Sequence, residues 1–142
     1  MLTSWRGSIG PGNRHLAREV VKMRREVAAL LLEISRNIHP NEMIVLLHGR
    51  REKTSYFVEE ISFPPQSIYG ESFSSFNPYQ LPIDHSFLGV AHSHPSGAPH
   101  PSVEDLNNMM GELMVIVTAP YRDERDIHVL DGEGRRLTLM IV

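Results

Sequence analysis

The sequence predicts an α+β domain in which a mixed, curved β-sheet is flanked by an N-terminal helix and by a second helix that follows a histidine-rich motif. Three observations carry this. Apolar residues recur at helical spacing between residues 14 and 37. Short apolar runs of strand length then follow, separated by Gly, Pro and polar turns. A capped helical segment interrupts those runs after His94, and the chain ends on two strands around an Asp-Gly turn. A length of 142 residues suits one such domain with a substantial core.

Each element has its own warrant. Residues 1–13 are rich in Gly, Ser and Pro and read as a flexible tail, leaving 14–142 as the folded domain. Asn13 is a helix-capping type. Leu16, Val20, Met23, Val27, Leu30, Leu31 and Ile34 form an apolar stripe along a helix from Arg14 to Asn37, which Pro40 stops. Met43 to His48 is a continuous apolar run ending at Gly49, the pattern of a buried strand. A polar turn leads to a second strand from Ser55 to Phe63, ended by Pro64 and Pro65. Residues 66–85 show no clean period and read as a long surface loop, and loops of that length tend to be functional. Ser86 to Ser93 is a third buried strand, Val103 to Leu113 a helix with Ser102 as its N-cap, and Met114 to Thr118 a further strand. Asp126 to Leu130 and Arg136 to Val142 flank Asp131-Gly132-Glu133-Gly134, a hairpin signal.

Composition narrows the chemistry. The chain has no Cys, which removes disulfides, thiol catalysis and thiolate metal sites together. A transition metal must therefore be held by His, Asp or Glu, and there are 8 His. No apolar run approaches the ~20 residues that span a bilayer, and the first residues lack the apolar region of a secretory signal, so a cytoplasmic protein is the default. The net charge of −3 gives no general case for nucleic acid. Residues 1–37 hold seven Lys and Arg against three Glu, but such a run is usually a solvated face.

One stretch carries chemistry: His92-Ser93-His94-Pro95-Ser96-Gly97, followed by Ser102-Val103-Glu104-Asp105. Side chains alternate across a strand, so His92 and His94 share a face with Cα atoms ~6.5–7 Å apart, close enough to converge on one zinc. Gly97 lets the chain turn away, and it returns at Ser102 to start a helix whose first turn holds Asp105. Two imidazoles and one carboxylate leave a fourth position for water, as catalytic zinc sites do. The same Ser102–Asp105 spacing is also a capping-box variant, and on that reading Asp105 supports the helix and is not easily also a ligand. A proton acceptor is needed for the water, and Glu42, Glu59, Glu60 and Glu71 all lie upstream.

Taken together these residues resemble the JAMM (MPN-plus) metalloprotease motif: an upstream Glu, His-x-His, ten residues and an Asp, with a Ser shortly before it. Ten residues separate His94 from Asp105, and Ser102 stands in the expected place. Pro40 to Gly49 resembles the family's first strand, with Glu42 just ahead of the apolar run, and the order of elements matches over residues 14–142. The resemblance implies one zinc per chain, with a bound water, on His92, His94 and Asp105. It implies Glu42 as general base and Ser102 as a donor to the oxyanion. It also implies hydrolysis of peptide or isopeptide bonds at the C-terminus of ubiquitin or a ubiquitin-like modifier. An extended modifier tail could add as a strand beside the 66–85 loop, where Phe73, Phe76 and Tyr79 are candidate pocket residues.

Two alternatives stand beside this expectation. The motif is also similar to that of RadC-type proteins linked to DNA repair, but Ser93 occupies the place of their usual Asn and the one basic helix is a poor substitute for their upstream helical DNA-binding region. A non-catalytic interaction module would use the N-terminal helix, through its Val20/Val21 and Leu30/Leu31 pairs, against a partner or a second copy. His15, His39, His85 and His128 show no ligand spacing, His48 reads as a hydrogen-bonded core residue, and His100 as an exposed loop residue. No second zinc is expected.

Overall fold

The computed structural model describes residues 18–64, 84–107 and 109–142. The expected N-terminal tail, Asn13, His15, Glu71, and Phe73, Phe76 and Tyr79 of the expected long loop lie outside them. Seven strands form one closed sheet: β1 (Val20–Met23), β2 (Ile44–Arg51), β3 (Ser55–Ser62), β4 (Phe87–His94), β5 (Leu113–Thr118), β6 (Ile127–Leu130) and β7 (Arg136–Ile141). Around the barrel the order is β1-β3-β2-β4-β5-β6-β7. β1 runs parallel to both β3 and β7, β4 runs parallel to β5, and the other pairs are antiparallel. The sheet is mixed and curved as the sequence implies, but the curvature goes to closure.

Closure depends on a segment that the sequence assigns to the first helix. Val20–Met23 is a strand, and α1 runs only over Arg25–Ile38. Val20 and Met23 fit a helical stripe, yet alternation fits better: Val21 and Met23 are fully buried, and Lys22 points outward to Glu52 at 3.1 Å. Four residues cannot separate a period of 2 from one of 3.6, and the β-branched pair Val20-Val21 decides for the strand once β3 and β7 both offer it an edge. From Arg25 the helical stripe is real. Val27, Ala28, Leu31, Leu32 and Ser35 are buried against the barrel, and each of the two leucines contributes about 1.5–3 kcal/mol by leaving water. Leu30 is 39% exposed, so the width seen in the sequence at Leu30/Leu31 is part core and part surface.

The parallel pair β4–β5 requires a crossover, and that crossover carries the motif. Its helix, α2 (Val103–Asn107), is five residues long instead of the eleven expected over Val103 to Leu113. Gly111 has φ +79°, which an α-helix cannot contain, and Leu113 already belongs to β5. Glu112 N–H then bonds the Leu88 carbonyl at 2.8 Å and brings the chain into register beside β4. β4 is packed so tightly there that a Cβ on Gly89 would sit 1.9 Å from the Leu113 carbonyl oxygen. The final hairpin follows the sequence expectation: Asp131 accepts the Glu133 and Arg135 amides at 2.9 Å each, and Gly134 takes φ +82°. No helix among the described residues is long and apolar enough to cross a membrane.

Because β4 meets β5 backbone to backbone at Gly89, Gly89→Ala is expected to cost about 3 kcal/mol or more, since the clash is with a main-chain atom that cannot move aside. The thermal midpoint should fall by roughly 10 °C. Gly132→Ala is the control, as nothing lies within 4 Å of its added Cβ. Equal midpoints for the two variants in thermal circular dichroism would contradict the close approach.

Candidate metal centre

The site sits where β4 ends. Register fixes its members: Ile44 of β2 pairs with His92, and His92 pairs with Ile116 of β5. His92 is 1% exposed between these neighbours, and His94, at the strand end, is half-buried. Their rings lie 4.9 Å apart, centroid to centroid. Alternation sends both to one face, as the sequence predicts. Beyond Ile44 the Ser93 N–H still bonds the Met43 carbonyl at 3.1 Å, which brings Glu42, the next residue out, to the end of β4 where His94 lies. Glu42, His94, Ser102, Glu104, Asp105 and His100 all line an open cleft of about 380 Å³ there.

Asp105 arrives from the crossover. His94 Nε2 lies 3.3 Å from Asp105 Oδ2, and His92 Nε2 lies 4.0 Å from Asp105 Oδ1. One donor atom from each of the three residues fits within a 4.8 Å span. A tetrahedral metal with bonds near 2.0–2.1 Å has ligand–ligand edges of about 3.3 Å, so the His94–Asp105 edge already has the right length. His94 gives a second test of fit. Its Nδ1–H donates to the Ala98 carbonyl at 2.8 Å, while its Nε2 faces a carboxylate. A neutral imidazole carries one proton, and both of these neighbours only accept. Either a second proton or a cation must stand between Nε2 and Asp105, and the donor set of two imidazoles and a carboxylate is that of a zinc site.

The protonation states agree. Burial lowers the His92 pKa to about 4, so this imidazole is neutral at pH 7 with a lone pair to offer. The hydrogen bond to Asp105 raises the His94 pKa. Burial would raise that of Asp105, but the hydrogen bonds from His94 and the Ser102 amide outweigh it and hold the carboxyl at about 2. Burial raises the pKa of Glu42, with the Asp105 and Glu104 carboxylates adding to it against the pull of His94.

The expected conflict between cap and ligand does not arise. Asp105 N–H donates to Ser102 Oγ at 2.9 Å, and Ser102 N–H donates to Asp105 Oδ2 at 2.8 Å, a reciprocal capping box. That same Oδ2 faces His94, and Oδ1 is left toward His92. A carboxylate has lone pairs enough for both tasks, and the cap holds it where a ligand is needed. Ser102 Oγ, accepting from Asp105, keeps its own proton to donate into the cleft.

The remaining acids and histidines sort themselves by position. Glu59 is ion-paired with Arg24 and Arg50 on β3, and Glu60 pairs with His48 across β2 and β3, away from the cleft. His48 bonds Ser86 Oγ and Ser62 Oγ at 2.9 and 2.7 Å, as expected for a structural histidine. His100 is an exposed loop residue, as read, and also a wall of the cleft. His39 bonds the Tyr121 hydroxyl at 2.9 Å, and His128 bonds Thr118 and Arg136. Sequence reasoning missed Ser93 and Tyr121. Ser93 is fully buried and accepts the Met43 amide at 2.7 Å, with the Tyr121 phenol beside it. Its place between two histidines of a strand was the available signal, because alternation turns it to the core; nothing in the sequence marks Tyr121.

A family model described as prokaryotic homologs of the JAB domain matches residues 24–130. A probable metalloprotease of Haloferax volcanii is 28% identical over 135 residues, covering 82% of this chain and 84% of that protein. The crystal structure of a JAB1/MPN domain protein from Archaeoglobus fulgidus superposes with a TM-score of 0.64 at 31% identity, over 85% of this chain and 98% of its own. A structure described as JAMM, a metalloprotease-like zinc site in the proteasome and signalosome, superposes with a TM-score of 0.62 at 29% identity, over 87% of this chain and 98% of its own. With well over half its length matched, and with two imidazoles and a carboxylate gathered at the end of β4, this chain belongs to the prokaryotic JAB-domain family and has the JAB1/MPN fold.

Proposed function

We propose that this protein is a zinc-dependent peptidase that hydrolyses peptide or isopeptide bonds at the C-terminus of a ubiquitin-like modifier. The observation that carries the reading is the convergence of His92, His94 and Asp105, the last two of which line an open cleft together with Glu42 and Ser102. The likeness to a metalloprotease-like zinc site supports the metal and the reaction class. The modifier as substrate rests on the motif's resemblance alone.

His92, His94 and Asp105 would hold zinc. When bound, zinc supplies an activated water and polarises the scissile carbonyl. Glu42 takes the proton of the attacking water and hands it to the leaving amine, for which a carboxyl with a raised pKa is better suited than an ordinary one. Ser102 donates a hydrogen bond from its hydroxyl to the developing oxyanion. The wall from Pro95 to His100 leaves the cleft open at one side, where an extended chain can enter.

Three outcomes test this. Purified protein should hold about one zinc per chain and cleave a ubiquitin-like fusion. Glu42→Gln should lower kcat by about 10²–10⁴-fold while zinc content and KM stay as they were. A fully active Glu42→Gln protein would remove Glu42 from the mechanism.

Asp105→Asn separates ligand from cap. The amide oxygen can still accept the Ser102 N–H, so the thermal midpoint of the metal-free protein should change little, while stoichiometric zinc is lost. Retention of zinc, measured by metal analysis after dialysis, would strike Asp105 from the ligand set.

Protons compete with the metal for His94. Its pKa lies above the ordinary 6.5, so apparent zinc affinity should be level above that raised value and fall about tenfold per pH unit below it. His92, at about 4, adds to the slope only near that pH. Chelator competition between about pH 5 and 8 reads this, and affinity independent of pH across that range would exclude His94 as a ligand.

A further inference from the structure

The chain reaches Glu42 through one hydrogen bond that breaks the rule of the ladder. Met43 and Ser93 face each other across β2 and β4, and Ser93 N–H donates to the Met43 carbonyl at 3.1 Å. A regular antiparallel pair of this kind returns the bond, Met43 N–H to the Ser93 carbonyl. Here Met43 N–H goes to the Ser93 hydroxyl instead, at 2.7 Å. The β2 backbone therefore leaves the ladder at the residue next to Glu42.

The hydroxyl that takes this amide is itself held. Ser93 is fully buried, and having accepted from Met43 it has one proton to give, toward the Tyr121 phenol. The Tyr121 O–H then goes to His39 Nδ1 at 2.9 Å. Tyr121 is placed for this by a backbone with φ +61°, a conformation that a bulky residue adopts only at a cost. It is held there by its amide on the Thr118 carbonyl at 2.9 Å and by the Arg36 guanidinium on its own carbonyl. The row thus runs from α1's end through the core to the backbone at Glu42.

We propose that Ser93, Tyr121 and His39 form a positioning row that aims the Glu42 carboxylate over the cleft by drawing the Met43 amide out of the β2–β4 ladder. This rests on the reading of Glu42 as the proton acceptor. None of the three touches the substrate. Without the Ser93 hydroxyl, the fully buried Met43 amide is left unsatisfied unless it re-pairs with the carbonyl of residue 93, and that re-pairing carries Glu42 with it.

The test compares Ser93→Ala, Ser93→Thr and Tyr121→Phe in the full-length, zinc-loaded protein on a ubiquitin-like fusion. Ser93→Ala should lower kcat by about 10–100-fold, the range expected for a catalytic group displaced by around 1 Å, with KM and zinc content unchanged. Its Met43 amide should shift in the ¹⁵N–¹H spectrum or exchange faster. Ser93→Thr keeps the hydroxyl and should recover most of the lost rate. Tyr121→Phe should fall between, and it carries the comparison if Ser93→Ala does not fold. A Ser93→Ala protein within twofold of wild-type kcat would overturn the proposal. Should wild-type protein bind zinc and cleave nothing, the proposed activity fails, and the Met43 amide alone then decides: unchanged in resonance and exchange in Ser93→Ala, it overturns the row; altered, it supports it.

Discussion

The reciprocal hydrogen bonds between Ser102 and Asp105 fix a carboxylate in the first turn of α2 against two imidazoles that belong to a strand. A carboxylate side chain otherwise has rotamer freedom that a metal must remove on binding, and the cost of removing it comes out of the affinity. Here the cap removes it first. The carboxyl is ionised at any ordinary pH, its Oδ2 committed to the Ser102 amide and His94 and its Oδ1 turned toward His92. The crossover between parallel β4 and β5 could have been any length. What makes it a ligand arm is that it ends in a helix start, because a helix start leaves amides that a carboxylate can satisfy.

Two histidines two residues apart are prepared for a metal in different ways. His92 is neutral because burial makes its charged form costly, by on the order of 3 kcal/mol for a shift from 6.5 to about 4. Its folded pKa is depressed, so this contribution to stability is full above pH 6.5 and is lost as pH falls toward 4. His94 has the opposite sign. Its folded pKa is raised, so its contribution is full below 6.5 and is lost as pH rises through the raised value. A cation that replaces the proton between His94 and Asp105 keeps that attraction where the proton would have left. The inner ligand is thus made ready by the core, and the outer one by its partner.

The site was more legible in the sequence than the fold that holds it. A strand period of two and a helix cap at fixed distance are local, and they placed His92, His94, Ser102 and Asp105 without knowledge of the barrel. Val20–Met23 was read as helix because its neighbours after Arg25 are helical and because the strand partners that claim it, β3 and β7, lie far off in sequence. The second helix is shorter than its pattern for a local reason: Gly111, inside the span, takes φ +79°. Glu42 could not be separated from Glu59 and Glu60 by sequence because the distinction lies in the register of β2 against β4, a long-range property. Tyr121 is further still from view, since its role depends on a left-handed backbone and on a serine of another strand.

β4 uses its two faces for two parts of one task. On one face His92 and His94 meet Asp105, and what holds them is the crossover. On the other, Ser93 meets Met43 and Tyr121 within the core, and what that contact governs is the approach of Glu42. On the proposed mechanism, metal ligation and proton transfer would therefore be tied to different parts of the fold. A lesion in the Ser102–Asp105 cap reaches the metal without touching β2. A lesion in the core around Ser93 would reach Glu42 through the Met43 amide.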